Sequence, residues 1–142
     1  MSVEESSVLQ HVPNESHYTF GGSSVAPRPT ITRSSTMRTC PDKLPFDPHG
    51  GIQTVNIANS TNNRQAFKVK CSDNMLYRVS PVFGFVEPGE TFKIDVLRQN
   101  GEKKTDNLLI LTSQAAQEEN DAKKVFERPQ DREMVVVPLI AC

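Results

Sequence analysis

Residues 65–90, QAFKVKCSDNMLYRVSPVFGFVEPGE, decide the fold. In Phe67-Lys68-Val69-Lys70 the period is two, so Phe67 and Val69 share one face of a strand and Lys68 and Lys70 the other. This is a half-buried strand with a basic outer face. Cys71 to Met75 reads as a polar connection, after which Tyr77 and Val79 fall on one face. Pro81 lacks a ladder donor, which stops that second strand near Ser80. Phe83, Phe85 and Val86 form a short apolar run, and Glu87-Pro88-Gly89-Glu90 is turn chemistry, with proline fixing φ and glycine accepting φ > 0. Beyond the turn, Phe92, Ile94 and Val96 alternate with Thr91, Lys93 and Asp95. Four short strands within about 35 residues, with no helical period between them, predict antiparallel β-structure.

Working outward, Leu44 and Phe46 lie two apart among Pro41, Pro45 and Pro48, which suits an irregular edge strand. Gly50-Gly51 turns the chain into Ile52–Ala58, with Val55 and Ile57 inward, and Asn59–Arg64 reads as a polar hairpin loop. Arg98–Asn107 is charged, contains Gly101 and reads as a connection. Leu108–Leu111 is apolar without alternation, a strand covered on both faces. Pro129 closes a segment in which a short helical turn is expected near 121–127, resting on Val125 and Phe126. Met134–Val137 and Leu139-Ile140 form a last strand, and Pro138 predicts an edge or a bulge there. Residues 1–40, rich in Ser, Thr, Pro and Gly and without an apolar period, read as a disordered tail, leaving 41–142 as one domain. Arg33-Ser34-Ser35 and Arg38-Thr39 set hydroxyls beside arginines, where phosphorylation would reverse the local charge; an unmodified solvated tail fits the composition equally well.

The chain has 142 residues, with 16 Lys+Arg against 17 Asp+Glu and a formal net charge of −1. That balance offers no broad basic field for nucleic acid or an anionic membrane. Cys40, Cys71 and Cys142 are odd in number, widely spaced and in no Cys/His metal pattern, so free thiols in a reducing, cytoplasmic setting are expected. No run approaches the roughly 18 apolar residues of a membrane span, and direct membrane insertion is not expected. Asn14 and Asn59 stand in Asn-x-Ser/Thr triplets, for which glycosylation is disfavoured without a secretory leader. The histidines His11, His17 and His49 fall into no Ser/His/Asp, Cys/His or paired-carboxylate grouping, and no phosphate-cradling glycine motif occurs. No catalytic residue, metal site or cofactor is expected. A lysine beside Cys71 could activate its thiol, but a small packing residue at a strand end is the better reading.

The pattern FKVK, a polar loop, Tyr-x-Val-x-Pro and Gly-x-Val-x-Pro-Gly-Glu resembles the core of the major sperm protein (MSP) domain family, whose members include nematode sperm cytoskeletal proteins and adaptor domains at membrane contact sites. Val55-Asn-Ile-Ala-Asn-Ser-Thr61 resembles the family's strand ending in an Asn-Ser/Pro-Thr turn. The resemblance spans 42–142 and is dense from Val55 to Leu111. It implies a seven-stranded immunoglobulin-like β-sandwich without catalytic activity, and a cytoskeletal or protein-interaction role, as in nematode sperm motility. It also implies homo-oligomers formed through sheet edges. In the adaptor branch the strand matching 65–70 receives an acidic peptide, which would make Lys68, Lys70, Ser72 and Leu109 partner-binding residues. The family's Thr-Thr is Cys71-Ser72 here, and two further basic positions fall at Asn107 and near Glu133. The competing reading of Lys68 and Lys70 is a solvated strand face. A remote alternative is RNA binding by Phe83 and Phe85 of the F-G-F-V run, but Pro81-Val82 replaces the basic residue and glycine of the RNA motif and Pro88 its last aromatic.

Overall fold

The computed structural model describes residues 28–142. It contains ten strand segments: β1 (Ile31–Arg33), β2 (Met37–Cys40), β3 (Leu44–Phe46), β4 (Gly51–Asn59), β5 (Gln65–Cys71), β6 (Tyr77–Ser80), β7 (Phe83–Val86), β8 (Thr91–Arg98), β9 (Lys104–Gln114) and β10 (Arg132–Ala141). One helix, α1 (Ala122–Val125), precedes β10. The order in the six-stranded sheet is β1-β10-β9-β5-β7, with β3 also on β10, and in the four-stranded sheet β2-β4-β8-β6. This is the immunoglobulin-like sandwich expected.

The seven expected strands are seven runs of chain, two of which cross between the sheets. β6 pairs with β8 in one sheet and β7 with β5 in the other, and Pro81-Val82 lies between them. The N-terminal run crosses twice: β1 lies on β10, β2 on β4 and β3 again on β10, with Pro41 after β2. A residue without an N–H ends pairing in one sheet and frees the chain for the other. Two expectations are corrected here. Residues 31–33 and 37–40, assigned to the tail, are strands, while 1–27, with Asn14, His11 and His17, lie outside the described residues. The segment 59–64 is no hairpin loop, because β4 and β5 belong to different sheets and it bridges the two layers.

Between the sheets, Phe67, Val69, Tyr77 and Ile94 are buried with Val55, Ile57, Leu108, Ile110, Val137 and Leu139, and Val79 packs against them partly buried. Glu87–Glu90 closes as a turn, with Glu90 N–H on the Glu87 carbonyl at 3.0 Å and Gly89 at φ 76°. Asn59 is 1% exposed; its amide donates to the carbonyls of Asn63 and Val86 while its Oδ1 accepts from Thr61, so no glycan can attach there. β9 begins at Lys104, inside the expected connection, and β10 runs unbroken through Pro138. That proline falls in the gap between the stretches of β10 that β1 and β3 occupy, where no strand among the described residues pairs with β10 on that side.

Candidate docking face

The outward residues of β5 and its neighbours form rows fixed by strand register. Lys70 lies opposite Leu109, which lies opposite Val136; Lys68 lies opposite Leu111 on one side and Phe83 on the other, and Leu111 opposite Met134. Lys68, Leu109, Met134 and Val136 are half-buried, Leu111 is 1% exposed and Lys70 only 9%. Lys68 and Lys70 are therefore set into an apolar floor, with their aliphatic stems packed, rather than standing on a fully solvated strand. Leu111, Met134 and Val136 were not among the expected site residues. Their signal in the sequence is that β9 and β10 carry apolar residues on both faces, which a sheet open to water on one side does not need.

One end of this face is closed by the helical turn. Asp121 caps α1 by accepting the Lys123 N–H at 3.1 Å, and Ala122 and Val125 bury against Ala66 with Phe83, Phe85 and Phe126. Phe83 meets Phe126 at a centroid distance of 6.2 Å, the Arg64 guanidinium lies 3.8 Å from the Phe85 ring centre, and Lys68 Nζ lies 5.6 Å from that of Phe83. Arg64 also binds Glu87 at 2.8 Å and the carbonyls of Ala116 and Glu119. The rings of the F-G-F-V run thus form a second small core under a helix, and base stacking has nothing to recommend it. Gly84 between them faces inward over Phe67: a Cβ there would lie 2.5 Å from the ring.

The other end is polar. Ser72 Oγ accepts the Asn107 N–H at 3.0 Å and donates to Asp106 Oδ1 at 2.9 Å. Lys104 Nζ reaches Asp73 at 2.5 Å and Asp106 at 3.4 Å. The hydrogen bond from Lys104 holds the Asp73 carboxyl below its ordinary range, and that from Asp73 raises Lys104. Lys68, Lys70 and Leu109 are therefore brought together, with Ser72 at the rim, but the Ser72 proton is committed inward. Glu133 lies on the inner side of β10 opposite Thr112, so the residue that meets the face at this level is Met134 and no carboxylate repels an acidic ligand there. Cys71 is 3% exposed, and burial pushes its thiol up to about 11, which fits a packing residue.

Among the described residues no three His, Cys, Asp or Glu gather as a metal site, and no helix is long and apolar enough to cross a membrane. The fold is an immunoglobulin-like sandwich. Residues 36–134 match the family model of the MSP (Major sperm protein) domain, more than half of the chain, and the chain belongs to that family. It is similar to sperm-specific class P protein 34 of Caenorhabditis elegans, 39% identical over 92 residues that make up 65% of this chain and 86% of the relative. The solved structure of WR4, a C. elegans MSP family member, superposes with a TM-score of 0.71 at 35% identity, covering 77% of this chain and 100% of that one. SSP-19, an MSP-domain-like protein of C. elegans, gives a TM-score of 0.68 at 30% identity over 72% of this chain and 96% of that one. This is an MSP-domain protein related to nematode sperm proteins.

Proposed function

We propose that the chain is a non-enzymatic structural module of nematode sperm, working in the cytoplasm beside the cytoskeleton, which receives an acidic protein or peptide segment on the outer face of its six-stranded sheet. The observation that supports this is the row of Lys68 and Lys70 bordering Leu109, Leu111, Met134 and Val136. An exposed ion pair contributes only about 0.2–1 kcal/mol, whereas a micromolar complex needs about 8. The half-buried Leu109, Met134 and Val136 each have only part of the about 1.5–3 kcal/mol of a full burial left to give, and Leu111, already 1% exposed, has none. The floor therefore adds to the affinity beside the two ammonium groups, which supply orientation and association rate. Ser72 supports the rim through its pairing with Asn107 and Asp106 instead of donating to the ligand.

The test is titration with an acidic peptide carrying one aromatic residue. Lys68→Glu and Lys70→Glu should each weaken binding at least about tenfold, an effect of about 1.4 kcal/mol, and wild-type affinity should fall with salt. Unchanged affinity in both variants removes the basic face from the account.

Self-association is the second reading, favoured by β2 and β6, each of which, among the described residues, pairs on one side only and stands at an edge of the four-stranded sheet. It requires dimers or larger species that grow with concentration in sedimentation at physiological salt, and a monomer at high concentration rules it out.

A further inference from the structure

The turn between β1 and β2 is the point at which the chain leaves the six-stranded sheet for the four-stranded one, spanning the open end of the sandwich. Below it lies a cleft of about 360 Å³ lined by polar side chains, among them Thr32, Thr36, Thr61, Gln65, Thr112 and Glu133. β1 is three residues long and is held by few bonds. Its ladder runs along Arg132–Met134, Arg132 N–H donates to the Thr30 carbonyl at 2.9 Å and Ser34 N–H to the Met134 carbonyl at 2.9 Å. Asp131 fastens its start by accepting from the Thr30 N–H at 2.9 Å, and beyond its end the Thr36 hydroxyl makes a long contact with Glu133 at 3.5 Å.

Ser34, Ser35 and Thr36 are successive hydroxyls; the structure sets Ser34 apart and leaves Ser35 and Thr36 exposed, of which Thr36 has an arginine three residues before it. Ser34 is half-buried and its oxygen accepts from the Met37 N–H at 2.9 Å and the Thr36 N–H at 3.3 Å, so it shapes the turn. Thr36 is exposed, has exposed Arg33 three residues before it and Arg38 two after it, and points its hydroxyl at Glu133. We propose that Thr36 is a phosphorylation site for an arginine-directed Ser/Thr kinase, and that its modification unfastens β1 and opens the cleft.

In that step a new P–O bond forms at Thr36 Oγ1 while the bond between the γ-phosphorus and the β–γ bridging oxygen of ATP breaks. The hydroxyl proton passes to the kinase's carboxylate base and ADP leaves. The product carries about 1.5–2 negative charges where a neutral hydroxyl had donated to Glu133. The hydrogen bond is replaced by repulsion between like charges a few ångströms apart. The run from Thr30 to Thr36 is then held only by its three-residue parallel ladder, the flanking backbone bonds and the Asp131–Thr30 bond, and it opens locally while the core stays closed.

The test uses the full chain, Mg·ATP and a purified arginine-directed kinase, with mass spectrometry and amide hydrogen exchange as readouts. Phosphate is expected on Thr36, with several-fold less in Arg33→Ala and none at this turn in Thr36→Ala. In the phosphorylated chain the Ser34 and Arg132 amides should exchange about tenfold faster, with β4, β5 and β8 unchanged, and Glu133→Gln should shrink that gain. Failure to modify Thr36, modification of Ser35 in its place, or a phosphorylated chain whose turn exchanges no faster would each overturn the proposal.

Discussion

Arg98 Nε donates to the Tyr77 hydroxyl at 3.1 Å, and this pair, directly opposite in the β6–β8 register, closes one end of the core. Arg98 is 2% exposed, and its two terminal nitrogens donate to the carbonyls of Pro48 and Glu102. One side chain thus ties together the loop before β4, the loop after β8 and strand β6. Its partners are dipoles, so what it stabilises is the hydrogen-bonding of the buried Tyr77 hydroxyl and of part-buried carbonyls in two loops.

Truncating Arg98 strands those oxygens. Arg98→Met should lower unfolding stability by about 2–4 kcal/mol in urea denaturation. Arg98→Lys should recover little of it, because a single ammonium cannot span three acceptors set in a fork.

Gly84 lies opposite Phe67 in register, with the ring over it. Phe67 is itself held edge-on by Phe92 at 5.0 Å between centroids, so the ring has no free direction in which to retreat. Gly84→Ala should cost about 1–3 kcal/mol by overpacking, measured as a lower denaturation midpoint at unchanged slope.

The three thiols should react in two classes. Cys40 and Cys142 are exposed and Cys71 is buried, with its thiol pushed up to about 11 by desolvation. At pH 7.5 a maleimide should label Cys40 and Cys142 promptly and Cys71 only after denaturant is added, as peptide mass mapping would read directly. Prompt labelling of Cys71 would mean that β5 frays at that end.

The Asp73–Lys104 pair sets a pH dependence with a definite sign. Asp73 is depressed when folded, so its contribution is present above the ordinary carboxylate range and is lost as pH falls through its folded value. Lys104 is raised, so its contribution is complete below the ordinary lysine range and is lost only as pH climbs beyond that, through its raised value. Stability of the wild type should decline below about pH 4, and Asp73→Asn should flatten that decline while lowering stability at pH 7. Equal acid slopes in the two proteins would remove the pair from the account.

Much of the sandwich was legible because its cues are local. The alternation in Phe67–Lys70 and Thr91–Val96 told inside from outside, Glu87-Pro88-Gly89-Glu90 announced its turn, and Asp121 and Pro129 bracketed the helix. β1 and β2 escaped because they contribute only Ile31 and Met37 as large apolar residues and owe their extended form to the backbones of β10 and β4. Lys68, Lys70 and Leu109 were offered by the family resemblance, and their adjacency to one another and to Met134 is visible only in the β5–β9 and β9–β10 registers.

By itself the sequence determined the central strands between Val55 and Val96, which faces of β5 and β8 are apolar, and that Pro81 ends β6, because side-chain period and a missing donor act within a few residues. Tertiary structure alone decided that Pro41 and Pro81 mark changes of sheet, that Phe83 and Phe85 lie beneath a helix, that Glu133 turns away from the lysines, and that Thr36 meets Glu133. Those facts depend on register between strands distant along the chain, which is set by the packing of the whole core.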